Sequence, residues 1–351
     1  MNKERGYRLL FFLAIIAILA AGCSPKNIEP DETDASVEPA GNPFEANEPN
    51  SQIMNSIGHG LADPPLDEQG RRLPLQYHGG ELKIDYKVHA SGNAKNVGFL
   101  VFVDGKPQPY KFNTSDAPYE YMHVFDLQGE DQDTLFTFVF TPVTGKKGDT
   151  LPVSIASVYN PEFMPDMKET ASYGGFHTTL GMEGLLHFNE DADALDASSI
   201  PRQEALRDVR LSSEPVTQDL LEKRSGFGTV DLESLDTNVY SELQLDGAER
   251  QDHYQVGKKG ALHVTFKLFG HPGVRYRNTF YINHQAISAK DGTFFETMLT
   301  KGDVAVFNAE IELEKLEDFN TFYVVSVPVN ADDFPDDVVV LEKTASILLY
   351  R

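Results

Sequence analysis

Leu82, Ile84, Tyr86 and Val88 alternate with Glu81, Lys83, Asp85 and Lys87, a period of two that only an extended strand turns into one apolar and one polar face. The pattern returns far along the chain, where Leu262, Val264, Phe266 and Leu268 alternate with His263, Thr265 and Lys267. A glycine, Gly80 or Gly260, stands before each set. Val97 to Val103 is a continuous apolar run closed by Asp104-Gly105, a two-residue hairpin signal. Arg277 to Ile282, closed by Asn283-His284, occupies the same place in the second set. Phe136, Val139, Pro142 and Val143 match Phe322, Val325, Pro328 and Val329 at identical spacing, and Leu151 to Tyr159 is matched to Ala345 to Tyr350. The same order in both halves implies two copies of one all-β unit.

Six or seven short strands per copy, separated by polar and Gly-containing turns, predict two packed antiparallel sheets. In architecture this resembles the immunoglobulin-like superfold, without the Cys…Trp…Cys core of antibody domains: the chain has one Cys and no Trp. The expected fold class is all-β: two tandem immunoglobulin-like antiparallel β-sandwich domains, over residues 71–165 and 241–351, with a disordered N-terminal tether. Residues 166–240 read as an irregular, partly helical linker. Arg202 to Val209 and Val216 to Arg224 carry helical character there, with Ser213 and Thr217 as caps.

Composition narrows the partners. With 54 Asp+Glu against 30 Lys+Arg, the formal charge of −24 repels phosphate backbones, so nucleic acid is excluded as a partner. A single cysteine leaves no internal disulfide and no thiolate metal cluster.

At the start of the chain Lys3, Arg5 and Arg8 precede an apolar run of 13 residues, Leu9 to Ala21. A spanning helix needs about 20 such residues, so this is the layout of a secretory signal, expected over residues 1–22. Leu19, Ala20, Ala21 and Gly22 before Cys23 resemble the lipobox of bacterial lipoproteins, with the leucine one position further from the cysteine than the commonest pattern. The resemblance implies signal-peptidase recognition by those four residues. It also implies diacylglycerol and fatty acyl on Cys23, and a lipid anchor at the outer face of the cytoplasmic membrane or cell envelope. Residues 23–70, rich in Pro and acids with few periodic apolar positions, read as a disordered acidic tether. Its last part, Ile53 to Leu66, has a second reading as an N-terminal strand.

Motifs for catalysis are missing: there is no H-E-x-x-H, G-x-S-x-G, S-x-x-K, C-x-x-C or phosphate-binding glycine loop. Asp191, Asp193 and Asp196 offer closely spaced oxygens suited to calcium, as do Asp332, Asp333 and Asp336 beside Asn330 and Asp337. Neither loop has the turn glycine and closing Glu of a calcium hand, and acid runs are commonly solvated faces. Tyr110, Tyr119, Tyr121, Tyr276 and Tyr281 are candidates for an exposed sugar-stacking patch, against a role in the core. The resulting expectation is a membrane-anchored cell-envelope lipoprotein acting as a non-enzymatic binding or scaffolding module, with a protein or cell-wall polymer as ligand and no cofactor identified. The alternative is an extracytoplasmic hydrolase or metal-dependent enzyme whose site is assembled only in the fold, for instance carboxylates of the middle segment with His177 or His187.

Overall fold

The alternating run becomes strand as its period requires. The computed structural model describes residues 56–91, 95–127, 132–163, 173, 177, 179–196, 198–224, 230–248, 252–290 and 292–351. In it Leu82, Ile84, Tyr86, Val88 and Ala90 are buried and the residues between them exposed. The signal segment, Cys23, and the tether as far as residue 55 lie outside the described residues.

The first sandwich is built from β1 (Ser56–Leu61), β2 (Leu75–Tyr77), β3 (Leu82–Ser91), β4 (Asn96–Val103), β5 (Lys106–Gln108), β6 (Lys111–Phe112), β7 (Val124–Asp126), β8 (Gln132–Phe140), β9 (Thr150–Tyr159) and β10 (Thr179–Phe188). One sheet runs β1-β3-β8-β6 and the other β2-β10-β9-β4-β5, with β7 also on β4. The linker supplies β11 (Gln203–Glu204), β12 (Leu206–Pro215) and the helix α1 (Gln218–Arg224). The second sandwich follows with β13 (Val239–Leu245), β14 (His253–Gln255), β15 (Ala261–Gly270), β16 (Arg275–Ile282), β17 (Gln285–Ser288), β18 (Phe295–Met298), β19 (Asp303–Glu312), β20 (Phe319–Pro328), β21 (Glu342–Lys343) and β22 (Ile347–Tyr350). Its sheets run β12-β19-β15-β13 and β11-β17-β16-β20-β22-β14, with β18 on β16 and β21 on β20.

The two copies correspond strand for strand: β1, β3, β4, β8, β9 and β10 hold the positions of β13, β15, β16, β19, β20 and β22. Even the parallel pairing of β2 with β10 returns as β14 with β22. Both sandwiches pack an aromatic interior in place of a disulfide. In the first, Tyr86, Phe99, Phe136 and Phe138 meet at ring separations of 5.1–5.9 Å, and the Tyr110 hydroxyl donates to the Phe99 carbonyl at 2.8 Å. The second is centred on Phe266, Phe280, Phe307 and Phe322.

Several sequence expectations are corrected. The duplication is real, yet Phe136 to Val143 lies at the end of β8 while Phe322 to Val329 lies at the end of β20, and these strands are not equivalent. The partner of β8 is β19, because each pairs with the alternating strand of its own copy. For the same reason Leu151 to Tyr159 corresponds to β20 and not to the C-terminal strand. A proline that ends a long strand is a generic device, and its recurrence misled. Domain limits also move. β1 lies inside the segment expected as tether, in the part from Ile53 to Leu66 that also read as an N-terminal strand, and β10, inside the expected linker, is the last strand of the first sandwich. Gly58, Gly60, Gly181 and Gly184 dilute their strand signal, and His59 of β1 bonds the Leu180 carbonyl of β10 at 2.9 Å.

Arg202 to Val209 is strand, not helix. The edge of β19 is open because the second copy has no strand in the place of β6, and the linker fills it as β12, antiparallel from Leu206↔Ile311 to Pro215↔Asp303. Backbone pairing at an open edge outweighs a weak helical preference. Val216 to Arg224 does form α1, with Thr217 Oγ1 accepting from Leu220 N at 3.3 Å as expected of a cap. Ser213 belongs to β12 and caps nothing. Leu220 and Leu221 bury against Phe269, Val304 and Val306.

Candidate functional site

A continuous apolar run carries more information than an alternating one: β4, β16 and β20 are buried on both faces for almost their whole length. One face lines the strand's own core and the other meets the neighbouring sandwich. Leu100, Phe102, Tyr121 and Met122 of the first copy form one apolar cluster with Tyr281, Tyr323, Val325 and Val327 of the second. The rings of Tyr281 and Tyr323 stack within it at 5.2 Å and 10°.

The equivalent hairpin turns reach across this seam. Asp104-Gly105 and Asn283-His284 both have positive φ, at 52° and 66° and at 49° and 64°, as a two-residue hairpin that follows the sheet twist demands. A Cβ on Gly105 would stand 2.7 Å from Val329 Cγ1 of the other sandwich. Arg277 donates to both the carbonyl and the carboxylate of Asp104. In the matching turn His284 Nε2 donates to the Pro161 carbonyl at 3.1 Å, and its Nδ1 lies 3.1 Å from the Tyr323 hydroxyl. His177 packs edge-on to Tyr173 at 4.7 Å, with His284 at 6.1 Å.

Burial governs the titration of this seam. It lowers His177 to about 3, helped by the charges of Lys343 and His284, and lowers His284 to about 4 against the pull of the Pro161 carbonyl. The Lys343 amine lies 4.4 Å over the Tyr323 ring and donates to Ser346 Oγ at 3.0 Å; burial brings it down to about 7. Burial likewise raises Glu342 to about 7.

Where the seam opens, Lys106, Tyr121, Arg202, Lys290 and Phe294 line a groove of about 420 Å³ with walls from both sandwiches. A second hollow of about 510 Å³, lined in part by Lys146, Asp149 and Asp193, adjoins it along residues 192–195, and both share Val143 and Ile200. Phe294 is the pivot: Lys106 Nζ sits 5.8 Å and Arg277 Cζ 5.3 Å from its ring centroid. Lys106 donates to Thr144 Oγ1 at 3.0 Å, and its pKa is lowered by burial and by the adjacent Arg277 guanidinium. Arg202 and Lys290 are exposed at the rim. In a chain of charge −24, this gathering of cations is against the grain of the molecule.

The residues singled out from sequence are spread elsewhere. Asp191 Oδ1 accepts from Lys147 N, Asp193 Oδ2 from Gly80 N and the Tyr77 hydroxyl, and Asp196 from Ser198. These aspartates hold loops together. Asp333 accepts from Asn330, and Asp337 lies 3.1 Å from His271, while Asp332 and Asp336 stand apart from both contacts. Among the described residues no three His, Cys, Asp or Glu gather so as to hold a metal ion. His187 Nδ1 lies 2.9 Å from Thr150 Oγ1, and the groups acting on His177 are Lys343, His284 and the Asn160 backbone. Tyr110, Tyr121, Tyr276 and Tyr281 are buried, and Tyr119 carries Lys111 over its ring at 4.7 Å. Sequence reasoning missed Lys106, Arg202, Lys290 and Phe294, which come from three separate stretches. The sole hint was basic residues beside a hairpin turn.

Strand order and seam define the class: a tandem pair of immunoglobulin-like sandwiches packed sheet against sheet, with a groove at the join. No family model and no curated protein matches the chain. Among solved structures it is similar to fibronectin(III)-like modules of Clostridium thermocellum CbhA, at 7% identity over 84% of this chain and 93% of that one, with a TM-score of 0.20. It is similar also to the C-terminal domain of the Streptococcus agalactiae AgI/II polypeptide BspA, at 8% identity over 84% and 100%, TM-score 0.19. The CupB6 tip adhesin from Pseudomonas aeruginosa aligns at 9% identity over 85% and 97%, TM-score 0.18. At these scores the likenesses carry no argument for this chain, whose fold class rests on its own sheet topology.

Proposed function

We propose that this protein is a non-enzymatic binding module of the bacterial cell envelope, anchored through lipid on Cys23, with the groove between its sandwiches as the binding surface. The observation that carries the reading is the seam. Because β4 and β9 bury their outer faces against β16 and β20, groove walls that belong to different domains are held in one geometry. A preformed groove loses little conformational entropy on binding. The anchor rests on the arrangement of Lys3, Arg5, Arg8, the apolar run and Leu19 to Cys23.

Two measurements test the two halves of the reading. The intact mass of the membrane-extracted protein is expected to correspond to cleavage before Cys23 plus acyl chains, and Cys23→Ala to remain an unmodified precursor or be released. An unmodified wild-type protein in the soluble fraction would remove the anchor. Detergent-washed wall material, free of membrane, is expected to co-sediment the wild-type chain and to leave Thr293→Trp, which fills the groove from a partly buried loop position, in the supernatant. Equal sedimentation of the variant, with its melting temperature unchanged, would remove the groove as the site.

A further inference from the structure

We propose that the groove takes a carboxylate-bearing glycan strand, an acidic polysaccharide of the uronic type; the inference rests on the groove being the binding surface. Its first support is charge. Lys106, Lys146, Arg202 and Lys290 line the two adjoining hollows, interleaved with Glu204, Asp149 and Asp193. Asp193 is already engaged by Gly80 N and the Tyr77 hydroxyl, and Asp149 by Lys146 N at 2.9 Å. Three cations against one acid in the first hollow favour a ligand of modest negative charge density, such as one carboxylate per sugar unit. A denser polyanion would be brought up against Glu204 and the overall acidity of the molecule.

The second support is what the groove refuses. An extended peptide is commonly gripped by adding a strand to a free sheet edge. Both strands that border the groove deny that edge. β17 has its outer side covered by β11, in parallel register Gln203↔Ile287, and β11 is only two residues long, too short an edge to seat a peptide strand; β5 reads Lys106-Pro107-Gln108 and is followed by Pro109, two prolines with no N–H to offer a ladder. Recognition is therefore left to side chains and to the C–H surfaces of Pro107, Pro109, Val143, Ile200 and Ala289, against which the apolar faces of sugar rings can pack. Phe294 adds an aromatic ring to that surface. At about 420 and 510 Å³ the two adjoining hollows, which share Val143 and Ile200, have more room than a single small ion requires.

The test is calorimetric titration of the purified full chain with a galacturonate hexamer, its methyl-esterified neutral form and a hexaglutamate peptide. Saturable binding of the uronate alone is expected, weakened about tenfold or more by Arg202→Glu and by Lys290→Glu, since charge-assisted hydrogen bonds are the strong ones. Both positions are exposed, so folding is preserved and checked by melting temperature. Equal binding of the methyl ester, or of hexaglutamate, or indifference to both charge reversals, would overturn the assignment. Absence of uronate heat from a chain whose wall attachment is still abolished by Thr293→Trp would overturn the glycan class and leave the groove reading standing. Uronate binding undiminished in Thr293→Trp would remove the groove itself.

Discussion

Gly270→Ala is expected to destabilise the second sandwich by about 3 kcal/mol or more, a fall of roughly 6–12 °C in melting temperature. Gly270 ends β15 at φ +126°, a region that side chains avoid, and a Cβ there would lie 2.0 Å from the Asn238 carbonyl oxygen and 2.9 Å from Val239 Cα. Both atoms belong to the backbone leading into β13, which pairs with β15 from Val239↔Gly270 onward. No rotamer relieves such a contact; the edge strand must move away. Gly260→Ala is the control, since Gly260 also has positive φ, +101°, but meets nothing within 4 Å. Thermal unfolding should show a loss of about 1 kcal/mol for the control. Equal losses for the two variants would mean that backbone strain, not the approach of β13, sets the cost.

Acid is expected to weaken the seam by about 3 kcal/mol between pH 7 and pH 4. His177 and His284 have pKa values lowered by burial to about 3 and about 4, so the folded state holds them neutral while the unfolded chain protonates them near 6.5. Their contribution is complete above pH 6.5 and is lost as the pH falls toward 4. Glu342 opposes them: its pKa is raised by burial to about 7, so its contribution is complete below about 4.5 and is lost as the pH rises through 7. Glu183, also raised by burial, adds a smaller gain, and the two histidine losses still leave a net fall on acidification. Lys343, brought down by burial to about 7, acts in the alkaline range, where stability should rise from pH 7 toward 10.5. Denaturant midpoints measured at each pH should fall into acid for the wild type and more gently for His284→Gln, in which the amide retains a donor for the Pro161 carbonyl. A variant with the full acid slope would show that the seam histidines are not its source.

Tyr121, weighed from sequence as a sugar platform against a role in the core, takes the core role: it is buried at the seam with its hydroxyl pushed up to about 12 by burial. A second sandwich covers it, and nothing in the local sequence announces that cover. The continuous run Val97 to Val103 did announce it, because a strand apolar on both sides must be buried on both sides.

By itself the sequence determined the all-β class, the duplication, the two-residue turns at Asp104-Gly105 and Asn283-His284, and the cap at Thr217. The class, the turns and the cap depend on residues within a few positions of one another, where side-chain period and backbone conformation are directly encoded, and the duplication shows as that same local pattern returning along the chain. Tertiary structure alone decided that the linker strand Leu206–Pro215 completes the second sandwich and that β10 belongs to the first. It alone joined Lys106, Arg202, Lys290 and Phe294 around one groove. Those outcomes depend on which sheet edge is open and which face meets which, and pairings between distant segments leave no period in the chain that makes them.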